Sequence, residues 1–492
     1  MTNPLLVLSL LLSSVCFASD RPNVVFLFAD DQRPDTIAAH GNEHIRTPHL
    51  DRLAANGLSF ARNYCAGSYS GAVCVASRSM LMTGRHWHRI DDTRNWTGLP
   101  TLPEKLGKAG YRTFIVGKWH NGEKTIARSF QAGRNVFMGG MADHTKTPLQ
   151  DLRADGSLTE KKIGDRFSSS HFADAAIEFI DTRKEERPYM LYVAFTAPHD
   201  PRNPPPSYRQ LYYENRPPLP ENFLPNHPFD NGHVSGKKRD ESLAPHPRPH
   251  DMVSDQLAEY YGLVTHLDSQ VGRILDAVER SSESDNTIVI YTADHGLAMG
   301  SHGLLGKQNV YEHSMGSPLI VSGPGIPKGQ TTRAMTYILD LHKTILDLSG
   351  APIDGDIDGQ SLRGIFSNPQ SSVRNSIFLP FQDIMRAVRE ERFKLHIYPK
   401  INHTLLFDLV EDPGEMRNLA NHPSYAGTVK RMTALMEEWR TRVGDSAPLK
   451  VDNPGPLEVD FTQIERSLDV WQPDWVREKY FDGRSRTDHG SP

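Results

Sequence analysis

The sequence has little cysteine, with three residues in a chain of 492. This number is too small for a disulfide framework to stabilise a protein of this length. The sequence also lacks a strong excess of charge, because 55 lysines and arginines stand against 60 aspartates and glutamates. The formal net charge of −5 therefore gives no electrostatic reason to expect a nucleic-acid partner.

Long hydrophobic runs are missing after residue 18, so we expect no membrane-spanning segment there. Residues 5–18 (LLVLSLLLSSVCFA) form a short apolar run, typical of a secretory signal peptide that is cleaved after Ala18. We therefore expect a secreted or periplasmic protein. A lipid anchor at Cys16 and an uncleaved N-terminal anchor are the alternatives. Without Cys16, Cys65 and Cys74 remain, either as a disulfide or as two separate thiols.

The remaining composition is that of a globular protein, with 38% hydrophobic and 23% charged residues. We expect a signal peptide at residues 1–18, a main domain at 19–350, and a smaller C-terminal subdomain with a tail at 351–492. The main domain carries a Pro-rich insertion at residues 200–253. The length of this insertion is typical of a lid or a substrate rim.

Apolar runs alternate with amphipathic patterns along the main domain. The runs predict buried strands at residues 23–29, 111–116, 189–195 and 287–291. The amphipathic patterns predict helices at residues 48–56, 102–109, 172–182 and 254–278, the last beginning at Ser254. This alternation predicts an α/β fold, a mostly parallel sheet sandwiched by helices. Short β runs after residue 350 and a helix around residues 429–443 predict a smaller antiparallel sheet with a packed helix.

Each predicted strand is followed by side chains that carry chemistry. These are Asp30-Asp31, Lys118 with His120, His199, and Asp294-His295. Ligands of such sheets bind beyond the carboxyl ends of the strands. We therefore expect these groups to meet at one edge of the sheet.

Three carboxylates and one imidazole stand out among these groups: Asp30, Asp31, Asp294 and His295. Carboxylate oxygens suit a hard cation such as Ca²⁺ or Mg²⁺, and one nitrogen ligand does not exclude such an ion. Taken alone, each pair is better explained by the capping of a helix or a turn.

The segment around Cys74 adds a more specific signal. Residues 74–85 (CVASRSMLMTGR) resemble the maturation motif of the type I sulfatases, members of the alkaline-phosphatase-like superfamily. Further segments resemble the same family in the same order. They are Asp30-Asp31, residues 47–53, Gly117-Lys118-Trp119-His120, Pro198-His199, Asp294-His295-Gly296, Gly306-Lys307 and residues 407–419.

The resemblance implies that Cys74 is oxidised to formylglycine, whose hydrate attacks the sulfur of a sulfate ester and then expels sulfate. It implies Asp30, Asp31, Asp294 and His295 as metal ligands, with the modified Cys74 completing the set. Ca²⁺ is the expected ion, with Mg²⁺ as the alternative. The maturation motif has Ala76 where the commonest version has proline, so the maturation enzyme that accepts this chain is left open.

Roles for the remaining groups also follow from the resemblance. Arg78 orients the modified residue, and Lys118 and Lys307 bind sulfate. The residue that matches His199 protonates the leaving oxygen, and the one that matches His120 assists the release of sulfate.

The insertion carries basic residues that suit an anionic glycan, although a solvated loop explains them equally well. The candidate substrate-binding residues are Arg202, His233 and Arg239, with Lys237 and Lys238 beside the last. We therefore expect a secreted sulfatase of sulfated carbohydrates or polysaccharides. The alternatives are a phosphate or phosphonate ester hydrolase of the same fold and a non-catalytic glycan-binding relative.

Overall fold

A computed structural model describes residues 21–184, 187–234, 240–464 and 474–480. The predicted signal peptide, Cys16 and the stretch from Lys237 to Arg239 lie outside these ranges. Within the described ranges, the structure contains no helix that is long and apolar enough to cross a membrane.

The described strands belong to two sheets. They are β1 (Asn23–Ala29), β2 (Gly57–Tyr64), β3 (Arg112–Lys118), β4 (Ala132–Phe137), β5 (Pro148–Leu152), β6 (Lys162–Ile163), β7 (Tyr189–Ala194), β8 (Thr287–Ala293), β9 (Gly316–Ser322), β10 (Gln330–Thr332), β11 (Thr336–Tyr337), β12 (Ser376–Phe381), β13 (Met385–Glu390), β14 (Phe393–Tyr398) and β15 (His403–Asp408).

The described helices connect and flank these strands. They are α1 (Pro48–Ala55), α2 (Val73–Thr83), α3 (Leu102–Lys108), α4 (Glu123–Ser129), α5 (Ser168–Thr182), α6 (Pro206–Glu214), α7 (His250–Arg280), α8 (Glu312–Met315), α9 (Asp340–Leu348), α10 (Arg363–Ser367), α11 (Ala426–Val443) and α12 (Asp474–Tyr480).

The large sheet has the order β10-β2-β9-β8-β1-β7-β3-β4-β5-β6 in the described chain, with β11 also paired to β2. Its centre, from β8 to β4, is parallel throughout. Alternate residues of β1 enter opposite cores: Phe26 packs into one apolar cluster and Leu27 into the other. Both faces are therefore covered, which explains the unbroken apolar run of β1. The predicted parallel sheet sandwiched by helices is confirmed.

The small sheet is antiparallel and follows the chain order β12-β13-β14-β15. The buried Met432 and Met436 of α11 belong to the same core as Phe378 and Leu395 of this sheet. That core also contains Phe26, so the small sheet packs directly onto the main body. The predicted antiparallel sheet with a helix is confirmed, while the domain limits remain a prediction.

Several elements differ from the sequence-based expectation; α5, for example, begins at Ser168 rather than at residue 172. The long helix α7 begins at His250 rather than at Ser254, because Met252 and Val253 are buried and extend its packed face by a turn. The Pro-rich insertion contains α6, which was not expected. Its Tyr212 is buried against α7, and the hydroxyls of Tyr212 and Thr265 are 2.5 Å apart.

Candidate active site

The carboxyl ends of β1, β3, β7 and β8 meet at one edge of the sheet, because these strands are parallel neighbours. The loops after them are tied together by the backbone. The amide of Asp30 donates to Ala197 O at 3.1 Å, and that of Asp294 donates to Ala29 O at 3.3 Å. Asp31 has a φ of 64°, so the backbone leaves the strand conformation here. Adjacent side chains therefore no longer alternate, and both aspartates face the same space.

The carboxylates form one buried cluster. Oxygen atoms of Asp30, Asp31 and Asp294 lie within 4.8 Å of one another, as do ligand atoms of Cys74, Asp294 and His295. Among the described residues, Asp30 Oδ1 and His295 Nε2 are buried without a hydrogen-bond partner. Buried polar atoms rarely lack one, so both are fitted for a ligand such as a cation.

The carboxylates of this cluster change the pKa of the His295 imidazole. Its Nδ1–H donates to Gly296 O at 2.9 Å, which leaves Nε2 facing Asp31 Oδ1 at 3.2 Å. Burial lowers the pKa of His295, but Asp294 and Asp31 together raise it to about 9. The cluster therefore attracts positive charge strongly.

Three cations of the chain oppose these carboxylates. Lys118 Nζ bonds Asp30 Oδ2, and Lys307 Nζ lies 2.9 Å from both oxygens of Asp31. Burial lowers the pKa of Lys307, but Asp31 and its other anionic neighbours hold it well above its usual value. Arg78 Nη2 lies 3.3 Å from Asp294 Oδ2, and its guanidinium stacks on the ring of Phe28.

Cys74 lies at the start of α2 and is buried. Its Sγ is 3.3 Å from His120 Nδ1 and 3.9 Å from Lys118 Nζ. Burial raises the pKa of this thiol, but Lys118, His120 and Lys307 outweigh burial and bring the pKa well below the usual value. The site therefore favours a negatively charged atom at this position.

Cys65 has a different environment, although it is buried as well. It donates to Gly67 O, and burial raises its pKa strongly. Cys65 and Cys74 are both free thiols, so of the two alternatives left open, separate thiols are found and a disulfide is not.

His199 lies beyond β7, at the same edge. Its Nδ1–H donates to Asp200 O at 2.8 Å, and its Nε2 lies 3.0 Å from Lys307 Nζ. Two side chains of this region were missed from the sequence. Asp200 places a carboxylate oxygen 3.2 Å from His199 Nδ1, and Tyr260 donates its hydroxyl to Asp31 O at 2.6 Å. Tyr260 belongs to the apolar pattern of α7, which hides its polar contact.

Of the candidate substrate residues, the structure describes Arg202 and His233. Arg202 is buried, and its Nη1 donates to Gln256. His233 is buried with its ring 5.1 Å from that of Phe381, in an edge-to-face arrangement. Arg239 lies outside the described residues.

Comparison with known families agrees with this geometry. The Sulfatase family model matches residues 22–351. The model described as N-sulphoglucosamine sulphohydrolase, C-terminal, matches residues 300–442.

Individual relatives are distant but cover most of the chain. An N-acetylglucosamine-6-O-sulfatase of Bacteroides thetaiotaomicron is 26% identical over 87% of this chain and 88% of its own length. The N-acetylgalactosamine-6-sulfatase of Mus musculus is 28% identical, with coverage of 88% and 89%.

Solved structures share the fold. A protein in complex with its substrate D-glucosamine-2-N,6-O-disulfate has a TM-score of 0.75 at 23% identity, covering 87% of this chain and 99% of the other. A phosphonate monoester hydrolase of Agrobacterium radiobacter has a TM-score of 0.68 at 21% identity, with coverage of 86% and 96%. With a family model matched over more than half of its length, the chain belongs to the sulfatase family of sulfuric ester hydrolases, within the alkaline-phosphatase-like superfamily.

Proposed function

We propose that this protein hydrolyses sulfate esters on sulfated carbohydrates, with formylglycine made from Cys74 as the nucleophile and a divalent metal ion beside it. One observation carries the proposal. Cys74 Sγ, inside its maturation motif, lies next to the carboxylate cluster and within 3.9 Å of Lys118 Nζ. A protein that only binds glycans has no use for this arrangement.

The residues present fit both groups that the family implies. Asp30 Oδ1 and His295 Nε2, which make no hydrogen bond, form with Asp31 and Asp294 the oxygen-rich donor set that Ca²⁺ prefers. Such an ion would supply Lewis-acid activation of the sulfate group. Formylglycine at position 74 would supply a hydrated aldehyde, whose two hydroxyls allow attack on sulfur and then regeneration of the aldehyde.

The cations of the chain bind and orient the sulfate. Lys118 and Lys307 are buried, and each contacts one aspartate of the cluster. Their fixed positive charges stabilise charge on the sulfate oxygens in a site from which water is largely excluded. Arg78 donates to Lys118 O at 3.2 Å and pairs with Asp294, so it links the end of β3 to the residue that follows β8.

Two histidines move protons in this proposal. His199 protonates the leaving alcohol oxygen through Nε2, since its Nδ1–H is bound to Asp200 O. His120 Nδ1 faces Cys74 Sγ, which suits a group that takes a proton from the nucleophile as sulfate is released.

A carbohydrate substrate is supported by the relatives, several of which are named for sulfated sugars. The candidate rim residues remain Arg202, His233 and Arg239. We further propose that the protein is secreted or periplasmic and that a maturation enzyme converts Cys74. The alternative substrate class, phosphate or phosphonate esters, has a relative of the same fold.

Two measurements test the proposal. Conversion of the Cys74 thiol to formylglycine lowers the intact mass by about 18 Da, by the count of atoms lost and gained. A panel of sulfated mono- and oligosaccharides, run beside matched phosphate and phosphonate esters, should show release of sulfate in preference to phosphate. Preferential turnover of the phosphate or phosphonate esters, or mass conversion without any turnover, would contradict the proposal.

A further inference from the structure

Lys307 reaches the site from a long loop rather than from a strand end. The loop connects β8 with α8, and the ammonium group bridges Asp31 and His199. A flexible lysine on a loop would not hold such a position by itself, because ordering its side chain is entropically unfavourable. Something else must fix the backbone that carries it.

The Pro-rich insertion supplies this support through a 3₁₀ turn, Asp240–Leu243. The carboxylate of Glu241 accepts the backbone amide of Gly306 at 2.9 Å and that of Leu305 at 3.1 Å. On the other side of Lys307, Gln308 Nε2 donates to Asp240 Oδ2 at 2.7 Å. Two neighbouring carboxylates of the insertion therefore hold the chain immediately before and after Lys307.

Glu241 is itself held in place. Arg248 Nη2 pairs with its carboxylate, and Arg248 Nη1 donates to Glu241 O. Arg248 Nε also donates to Gly303 O at 3.1 Å, in the same loop as Lys307. Glu241 and Arg248 are 6% and 2% exposed, so the pair is shielded from water and its hydrogen bonds are correspondingly strong.

Gly306 shows how closely the insertion approaches. A Cβ at this position would lie 2.8 Å from Asp240 Cβ and would collide with Gln308 Oε1. A side chain there would push the 3₁₀ turn away, so the glycine is required by the contact itself.

We infer that Glu241 is a positioning residue, which acts through the Leu305–Gly306 amides to hold Lys307 against Asp31 and His199. The inference rests on the proposed function for the sulfate-binding role of Lys307. It extends that function by giving the insertion a part in catalysis. A displacement of about 1 Å in a reacting group lowers rates by up to about 100-fold. We expect Glu241→Gln to lower kcat/KM by about tenfold or more.

The first test is independent of activity. Hydrogen exchange at the amides of Leu305 and Gly306 should be faster in Glu241→Gln than in the wild type. Glu259→Gln is the matched control, since Glu259 of α7 is a buried carboxylate whose ion pair is made with Arg209 of α6 rather than with this loop. Unchanged exchange in Glu241→Gln would overturn the inference.

The second test is a double-mutant cycle with Lys307→Ala, followed on an activated aryl sulfate. If Glu241 acts through Lys307, Glu241→Gln should change kcat/KM less than about twofold in the Lys307→Ala background. An undiminished tenfold loss in that background, or wild-type kinetics for Glu241→Gln alone, would overturn the inference. Glu259→Gln should match the wild type.

One further variant, a double substitution, keeps the result decisive. If Glu241→Gln does not fold, the double variant Glu241→Leu with Arg248→Met can replace it, because it removes both buried charges together. This variant also lacks the carboxylate that accepts from the Leu305 and Gly306 amides, so we expect the same faster exchange and the same loss of kcat/KM. If Lys307→Ala retains wild-type activity, the sulfate-binding role of Lys307 fails, and this inference is overturned with it. Loss in Lys307→Ala with no loss in Glu241→Gln would overturn the inference alone.

Discussion

Lys307 Nζ lies 3.0 Å from His199 Nε2. The Nδ1–H of this ring donates to Asp200 O, so in the neutral ring Nε2 accepts a hydrogen bond from the ammonium group of Lys307. The ring nitrogen that faces the site is therefore hydrogen-bonded to a group that we propose also binds sulfate. This contact therefore joins the residue proposed to bind sulfate directly to the residue proposed to protonate the leaving group.

His199→Ala should impair turnover of a sugar sulfate far more than turnover of nitrophenyl sulfate. A sugar alkoxide is a poor leaving group, and general acid catalysis contributes roughly 10²–10⁴-fold to such a step. Nitrophenolate leaves without a proton. Comparison of kcat/KM for the two substrates measures the difference.

His120→Ala is the control for this leaving-group dependence. His120 faces Cys74, and its proposed step follows departure of the alcohol, so the loss should be similar on both substrates. Equal losses on both substrates for His199→Ala would leave sulfate binding as the explanation of its role.

Much of the site was predictable because Asp30-Asp31, Lys118 with His120, His199 and Asp294-His295 each stand at the end of a buried strand, whereas Cys74 and Lys307 were indicated only by the family resemblance. Once β1, β3, β7 and β8 are parallel neighbours, their ends must meet. The contacts made by Tyr260 and Glu241 were not predictable, since hydrophobic periodicity does not reveal which polar atoms a helix or loop presents. Helix α6 was missed because prolines obscure its pattern, although a proline is well tolerated in a first helical turn.

Cys74→Ala should abolish turnover, whereas Cys65→Ala should retain most of it. Only Cys74 lies among Lys118, His120 and the carboxylates, while burial leaves Cys65 a neutral thiol. Sulfate release measures the outcome, and intact mass shows whether the loss of about 18 Da that marks conversion disappears with Cys74 alone. Full activity in both variants would refute the nucleophile assignment.

Asp30→Ala and Asp294→Ala should lose bound metal and activity together, because both remove a carboxylate from the cluster. Elemental analysis of the purified variants, beside sulfate release, tests this. Asp35→Asn is a suitable control. Asp35 lies in the same loop after β1 as Asp30, but its carboxylate is exposed and paired with Arg33. Active wild-type protein without a divalent ion would contradict the metal assignment.

The stability of the fold should decrease as the pH falls from about 6.5 to 4, in part through His342. Burial lowers the pKa of His342 from 6.5 to about 4, while its Nδ1–H donates to Leu81 O. Across this window the unfolded chain binds a proton that the folded chain does not. The free energy of unfolding therefore decreases as the pH is lowered, by up to about 1.4 kcal/mol per pH unit for one titrating site.

His342→Gln should make the urea midpoint less dependent on pH across the same window. Replacement of the exposed His44 by glutamine should leave the slope as it is in the wild type. An unchanged slope in His342→Gln would show that this histidine does not contribute.

The position of β1 has a consequence for how the protein is made. This strand is the first in the described chain, yet it lies between β7 and β8 at the centre of the sheet. In a nascent chain, β7 becomes available to β1 once residues 189–194 have emerged, but the other neighbour of β1 is missing until residues 287–293 emerge, since synthesis runs from the N-terminus. Such long-range pairing is slow and exposes the strand to aggregation. Asp30 and Asp31 follow β1 directly, so the active site forms only when β1 has paired with β8, late in folding. Measured activity therefore indicates that the central sheet is complete.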